Sequence, residues 1–346
     1  MVKFGMCGCG GFIERAVLPM MRNVKNAQAV AAFDTNRERL EKICGEFKIK
    51  HACATFEELL EVDEADVIYV ASPNVLHKEQ TIRAAQAGKH VFCQKPMGIN
   101  AVECREMIKV CRQNKVKLGV GFCYRFGGAQ QKAKELVKKG AIGDVSLINI
   151  SFNLGGYNPK TAGWRCDPKL SGGGPLMDVA PHLIDLASFL LDDRVESVMA
   201  YVRPEMTETE IEIDTLSLLE FSGGIRVSMD TSFLRGNTHN YTIIGTGGQI
   251  HAVQTMPWKE VAGRLTLQAN RQEKEVSFSK AEHIEQEIRL YCRAIEKNEE
   301  PPVPGEAGLH VQAVIDAIYQ SGRTGKRCKV KYERKISDKK EPVFSV

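Results

Sequence analysis

Lys95 stands at the end of an apolar stretch, Val91-Phe92-Cys93-Gln94, and directly before Pro96. Proline pushes the residue before it into an extended conformation, so this lysine leaves the chain in a fixed direction. An ammonium beside a carbonyl oxygen stabilises the negative charge that grows there on reduction, and can pass it a proton. Asp178 and His182 are four residues apart. On one helix they would share a face. The carboxylate would then orient and charge the imidazole, which can take a hydroxyl proton. Behind a dinucleotide-binding turn, such a trio points to reversible oxidation of an alcohol by a nicotinamide cofactor. Each residue also has a plain structural reading. Lys95 would be a surface lysine in a turn, Asp178 a helix cap and His182 a satisfied core histidine.

The turn in question is Gly8-Cys9-Gly10-Gly11, between a strand-like run (Val2 to Cys7) and a helix reaching about Arg22. Glycines at such a place let a pyrophosphate approach the backbone at a helix N-terminus. Gly8, Gly10, Gly11, Phe12 and Ile13 are the cofactor contacts expected there. Ile13 occupies the position where the usual pattern has Gly or Ala, which widens strand–helix spacing. Asp34 ends the second strand, where a carboxylate bonds a ribose 2′-hydroxyl; its alternative is a helix N-cap. It favours NAD by repelling a 2′-phosphate, while Arg37 leaves NADP open. Ser72, Asn74 and His77 follow the strand at 67–71, at the sheet edge where ligands sit. Taken alone, Asn74 reads rather as a turn former and His77 as a surface residue of the next helix. Gln94 and Lys95 complete the expected cofactor set.

Elements that would position these residues can be read from the hydrophobic pattern. Strands at 2–7, 27–33, 67–71, 91–93 and 117–123 alternate with helices at 36–47, 76–87 and 100–113. That alternation means a doubly wound parallel sheet. Asn100 is the expected N-cap of the third helix. After residue 123 the rhythm changes. Strands at 144–152, 195–203, 214–221, 225–231 and 240–245 imply a largely antiparallel sheet, and Ser222-Gly223-Gly224 is a hairpin signal. A helix reaching Leu191 would be kinked by Pro181 just before His182. Late helices are expected at 281–297 and 305–321. The expected division is a cofactor domain at 1–122, a substrate and oligomerisation domain at 123–335 and a charged tail at 336–346.

Forty-seven basic and 43 acidic residues leave a formal charge of +4, with basic pairs isolated, so a nucleic-acid partner is not expected. No apolar run approaches the ~20 residues of a membrane helix. The chain begins directly with strand-like sequence, so no signal peptide is expected and the protein reads as cytoplasmic. Eleven scattered cysteines, none in a C-x-x-C pair, read as buried reduced thiols. No cysteine–histidine cluster has zinc-ligand spacing, so no metal is expected.

An ordered set of motifs carries a resemblance. It runs from Gly8-x-Gly10 through Ser72-Pro73-Asn74-x-x-His77 and Gly88-Lys89-His90-Val91 to Lys95-Pro96. It continues with Tyr124-Arg125-Phe126, Trp164-Arg165-x-Asp167-Pro168 and Gly172-Gly173-Gly174-x-x-x-Asp178-x-x-x-His182. From Val2 to about residue 333 the chain resembles the glucose–fructose oxidoreductase, inositol dehydrogenase and MocA family. The resemblance implies an N-terminal Rossmann domain and a C-terminal α/β domain on a large open sheet. That sheet's exposed face would build a homodimer or homotetramer. It implies a sugar, glycoside or cyclitol substrate, with Lys95 on the reacting oxygen and His182 as base beside Asp178. Tyr124, Arg125, Trp164 and Arg165 become candidates for the substrate pocket. The family usually has glutamate where this chain has Gln94. Two alternatives remain at this point: a glycoside-processing enzyme acting through transient oxidation, and a sensor of a sugar or cofactor without turnover.

Overall fold

The computed structural model describes residues 1–156, 163–206, 209–256 and 263–332; the expected tail lies outside them. The chain divides into two compact units. One comprises Met1–Cys123 with Glu282–Leu309; the other comprises Tyr124–Ala281 with the described residues from His310 on. The expected cut at 122/123 therefore meets a return of the chain. Helix His283–Lys297 belongs with the first unit. Its Tyr291 donates to the Val91 carbonyl (2.9 Å) and sets its ring edge-on to Phe92, which stacks on Tyr69. Val120 N–H also donates to Val303 O (2.9 Å).

The first unit holds six parallel strands: β1 (Val2–Cys7), β2 (Ala27–Phe33), β3 (His51–Cys53), β4 (Val67–Val70), β5 (His90–Gln94) and β6 (Leu118–Gly121). Their order is β3-β2-β1-β4-β5-β6 and every pairing is parallel. This is the doubly wound arrangement, whose strand order reverses between β1 and β4. β4 is buried along its whole length, as a strand covered on both faces must be. Helices Arg37–Phe47, His77–Gln86 and Ala101–Gln113 fill the connections. Asn100 caps the third by accepting from Glu103 N–H (2.9 Å). β3 was not evident in the sequence, being three residues long.

The second unit carries nine strands: β7 (Val145–Asn153), β8 (Val195–Met206), β9 (Thr209–Phe221), β10 (Arg226–Ser232), β11 (Thr238–Gly245), β12 (Gly248–Val253), β13 (Arg264–Ala269), β14 (Gln272–Glu275) and β15 (Cys328–Lys329). They form one open sheet, β14-β13-β12-β11-β7-β10-β9-β8-β15. All pairings are antiparallel except β7 with β10. The turn at 222–224 joins β9 and β10 as a hairpin.

The helix expected to reach Leu191 with a kink is in fact two helices, Pro175–Asp178 and Ala180–Leu191, with Val179 between them. Pro181 lies in the first turn of the second helix, where its missing N–H costs no bond. Asp178 thus ends one helix and His182 begins the next, rather than sharing one helical face.

Arg125 also departs from expectation. It is fully buried, not in a substrate pocket. Its guanidinium donates through Nε (3.0 Å) and Nη2 to the Asp185 carboxylate and lies over the Phe189 ring. Burial pushes the Asp185 carboxyl up, and Arg125 opposes that shift. Breaking such a pair strands a buried charge, at a cost of about 3–5 kcal/mol. Asp185→Ala should lose that much stability in urea unfolding. A loss under about 1 kcal/mol would show that Arg125 does not depend on this partner.

Candidate active site

In the first unit the site is built at the carboxyl ends of the parallel strands. Gly8 follows β1 with φ of 91°, and a Cβ there would lie 2.8 Å from Ala71 O, so its glycine serves packing against the exit of β4. A Cβ on Gly10 would meet nothing within 4 Å. That open space over a glycine turn at a helix start fits a pyrophosphate. Ile13 is buried, so its side chain belongs to the core. The helix runs as a π-helical turn from Ile13 to Val17, which accommodates the bulky side chain where the common pattern has a small one. Gly11 and Phe12 are partly exposed on the turn.

Asp34 is the hub of this edge. It accepts from Cys9 N–H and Asn36 N–H, both at 2.8 Å, and from Arg39 Nη1 at 3.4 Å. The helix N-cap is Asn36, which accepts from Arg39 N–H, so Asp34 is not the cap. Arg37, the cation expected here, is instead 89% exposed and paired with Glu41. Arg39 was missed, although an N-cap at Asn36 places residue 39 within the first helical turn, facing back toward residue 34.

His77 is buried and not a surface residue. Its Nδ1 sits 2.8 Å from Pro96 O and its Nε2 2.9 Å from Ser72 O. It ties the segment after β4 to the segment after β5. Burial pushes its pKa down, the two carbonyls raise it, and Lys95 adds to the depression. Ser72 Oγ donates to Gln80, and Asn74 is buried in the turn. Gln94 is buried and donates from Nε2 to Tyr69 Oη (2.6 Å). Lys95 is partly buried and joined to Pro96 by a cis peptide bond.

In the second unit, His182 is partly buried with Tyr124 edge-on at 4.6 Å. Phe152 on β7 lies 6.4 Å from His182 and 6.0 Å from Tyr124. His239, opposite Phe152 across the β7–β11 ladder, packs on it at 4.3 Å, and burial lowers its pKa. No sequence signal marked His239. Arg165 lies over the Trp164 ring at 4.7 Å, and its Nε is 4.0 Å from Asp178 Oδ1. Trp164, Arg165 and Asp178 are thus brought together, as are Tyr124 and His182. Arg125, Ile13, His77 and Gln94 are buried, and Arg37 is exposed beside Glu41.

All eleven cysteines are free and buried, and no described helix is long and apolar enough to cross a membrane. Residues 2–122 match the oxidoreductase family with an NAD-binding Rossmann fold, and residues 130–251 match the GFO/IDH/MocA C-terminal domain. A D-xylose 1-dehydrogenase (NADP(+)) from Haloferax volcanii is 30% identical, over 94% of this chain and 98% of that protein. A 1,5-anhydro-D-fructose reductase from Ensifer adhaerens is 27% identical, over 95% and 99%. The solved aldose-aldose oxidoreductase of Caulobacter crescentus, complexed with glycerol, superposes with a TM-score of 0.89 at 26% identity, covering 95% and 99%. Sheet order, glycine turn and sequence agree: the chain belongs to the GFO/IDH/MocA family of NAD(P)-dependent oxidoreductases.

Proposed function

We propose that the protein is a dehydrogenase or reductase of a sugar or related polyol, working at a carbinol carbon. The observation that carries this is the delivery of Gly10, Asp34 and Lys95 to one carboxyl edge of a β3-β2-β1-β4-β5-β6 sheet. The named activities of the relatives in xylose and anhydrofructose chemistry support the substrate class. When bound, the nicotinamide accepts or supplies the hydride. Lys95 holds the reacting oxygen. An imidazole nitrogen of His182 takes the hydroxyl proton on oxidation and returns it on reduction. Asp178 supports the charge on that ring, and Trp164 and Tyr124 offer aromatic faces to a sugar.

Positioned acid/base groups contribute about 10²–10⁴-fold. Single-turnover hydride transfer, on a substrate found by screening sugars and cyclitols, should fall by that much in Lys95→Ala and His182→Ala. Cofactor affinity should stay near wild type. Near-normal transfer in both folded variants would refute the roles.

Asp34 underlies the choice of cofactor. A carboxylate has about four lone-pair sites, and two already hold backbone N–H groups. The remaining sites face Arg39 or a ribose hydroxyl, which favours NAD; Arg39 is the cation available to a 2′-phosphate. Calorimetry should show tighter NAD binding. Arg39→Gln should weaken NADP about tenfold, the scale of a charge-assisted bond, and leave NAD little changed. Tighter NADP binding by the wild type would overturn the preference.

A second copy of this chain is proposed to cover the open sheet. Met199 and Tyr201 on β8 face Leu218 and Leu216 on β9 in register, and all four are exposed, Tyr201 at 83%. Such a contiguous apolar patch marks an interaction surface. Light scattering should give a homodimer or homotetramer, and Leu218→Glu should shift it toward monomer. A monomeric wild type at micromolar concentration would contradict this.

A further inference from the structure

We infer that Glu212 is the positioning residue of the second unit's half of the site: its carboxylate, on β9, sets where Asp178 and Arg165 stand. The inference rests on the reading of Asp178 and His182 as the proton-handling pair. Glu212 is buried, and its Oε1 accepts from Gly174 N–H and Leu176 N–H, both at 2.9 Å. Pro175, between them, has no N–H. The carboxylate therefore takes both backbone donors at the start of the four-residue helix Pro175–Asp178. A helix of one turn does not stand on its own propensity, so an external acceptor decides its place. Burial raises the pKa of Glu212, and the backbone N–H groups of Gly174 and Leu176, with the Tyr319 phenol beside it, pull it back.

The glycines before Asp178 take their meaning from this contact. A Cβ on Gly174 would lie 1.9 Å from Glu212 O. A Cβ on Gly173 would lie 2.1 Å from Tyr319 Oη and 3.3 Å from Glu212 Oε2. The loop lies directly on β9, and no other residue type permits that approach. One residue earlier, Ile211 packs with Cys166, the neighbour of Arg165. Residues 211 and 212 of one strand thus hold both partners of the Arg165–Asp178 pair at their 4.0 Å separation. A misplacement of about 1 Å at a reacting group can cost about 10²-fold in rate.

The test uses the full chain with Glu212→Ala, Glu212→Asp and Glu212→Gln. Glutamine keeps an oxygen acceptor at the same reach and should hold kcat within about threefold. Alanine and aspartate lose the contact, the latter while keeping the charge. Each should lower kcat about 10- to 100-fold, with NAD affinity unchanged. Aspartate serves should the alanine variant fail to fold. Hydrogen exchange read on a peptide covering 172–180 should speed up in both, with the interior of helix Ala180–Leu191 protected as before. Wild-type protection at 172–180, or wild-type kcat, in a folded alanine or aspartate variant overturns the inference. Full turnover in His182→Ala and Lys95→Ala instead overturns the reading of the site, while faster exchange at 172–180 still upholds Glu212 as the anchor of this helix.

Discussion

Glycine turns expose backbone N–H groups that need acceptors once the turn is buried. Each unit meets that demand in the same way, with a carboxylate at or near the end of a strand. Asp34 after β2 takes the Cys9 N–H of the turn after β1. Glu212 near the start of β9 takes the Gly174 and Leu176 N–H groups of the loop before Asp178. In each case a sheet dictates the position of a loop through an acceptor that the loop's own sequence lacks. The cost of leaving such donors unpaired is about 1–3 kcal/mol each. That is enough to select one loop conformation over its neighbours. Chemistry that requires groups held within a fraction of an ångström depends on this selection.

Much of the first unit was legible because parallel strands covered on both faces must be continuous apolar runs. Val67–Val70 and Val2–Cys7 announce themselves for that reason. Helix starts were legible where a cap side chain marks them, as at Asn100. Less legible were short edge strands, whose residues need not be apolar. β14 reads Gln-Glu-Lys-Glu and is exposed throughout, and β15 has two residues. The assignment of helix His283–Lys297 to the first unit was hidden for another reason. Local pattern shows an amphipathic helix but not which core its apolar face, including Ile284, Ile288 and Tyr291, will join.

Within the site, residue type and spacing named the candidates but not the bonds each makes to the protein. Arg125, Gln94 and His77 sit inside family-like motifs, and each is also bonded within the protein: to Asp185, to Tyr69, and to the Ser72 and Pro96 carbonyls. A motif records what a position needs, and supporting a loop is as strict a need as touching a ligand. Glu212 was not singled out in the sequence. It lies in an acidic run, Glu208 to Asp214, just ahead of the strand expected at 214–221. Only burial of Ile211, Glu212 and Ile213 together shows that this stretch turns inward.

Neighbouring positions on one strand of the large sheet invert the usual placement of polarity, and the inversion has a physical basis. On β9, Thr215 and Ser217 face inward while Leu216 and Leu218 face out. Small hydroxyls are cheap to bury when they pair with one another or with a carbonyl. Thr215 Oγ1 meets Thr231 Oγ1 at 2.7 Å, and Ser232 Oγ donates to Ile213 O. Their small size also lets the covering helix come close. Gly322 of helix Gly305–Thr324 approaches β8 so tightly that a Cβ would lie 2.6 Å from Val202 Cγ2. At these two positions the inner face of β9 holds short hydroxyl side chains, while Ile211, Ile213, Leu219 and Phe221 on the same face fill the core. Leu216 and Leu218 lie on the outer face, where water is a poor solvent for them and an apolar surface is a better one.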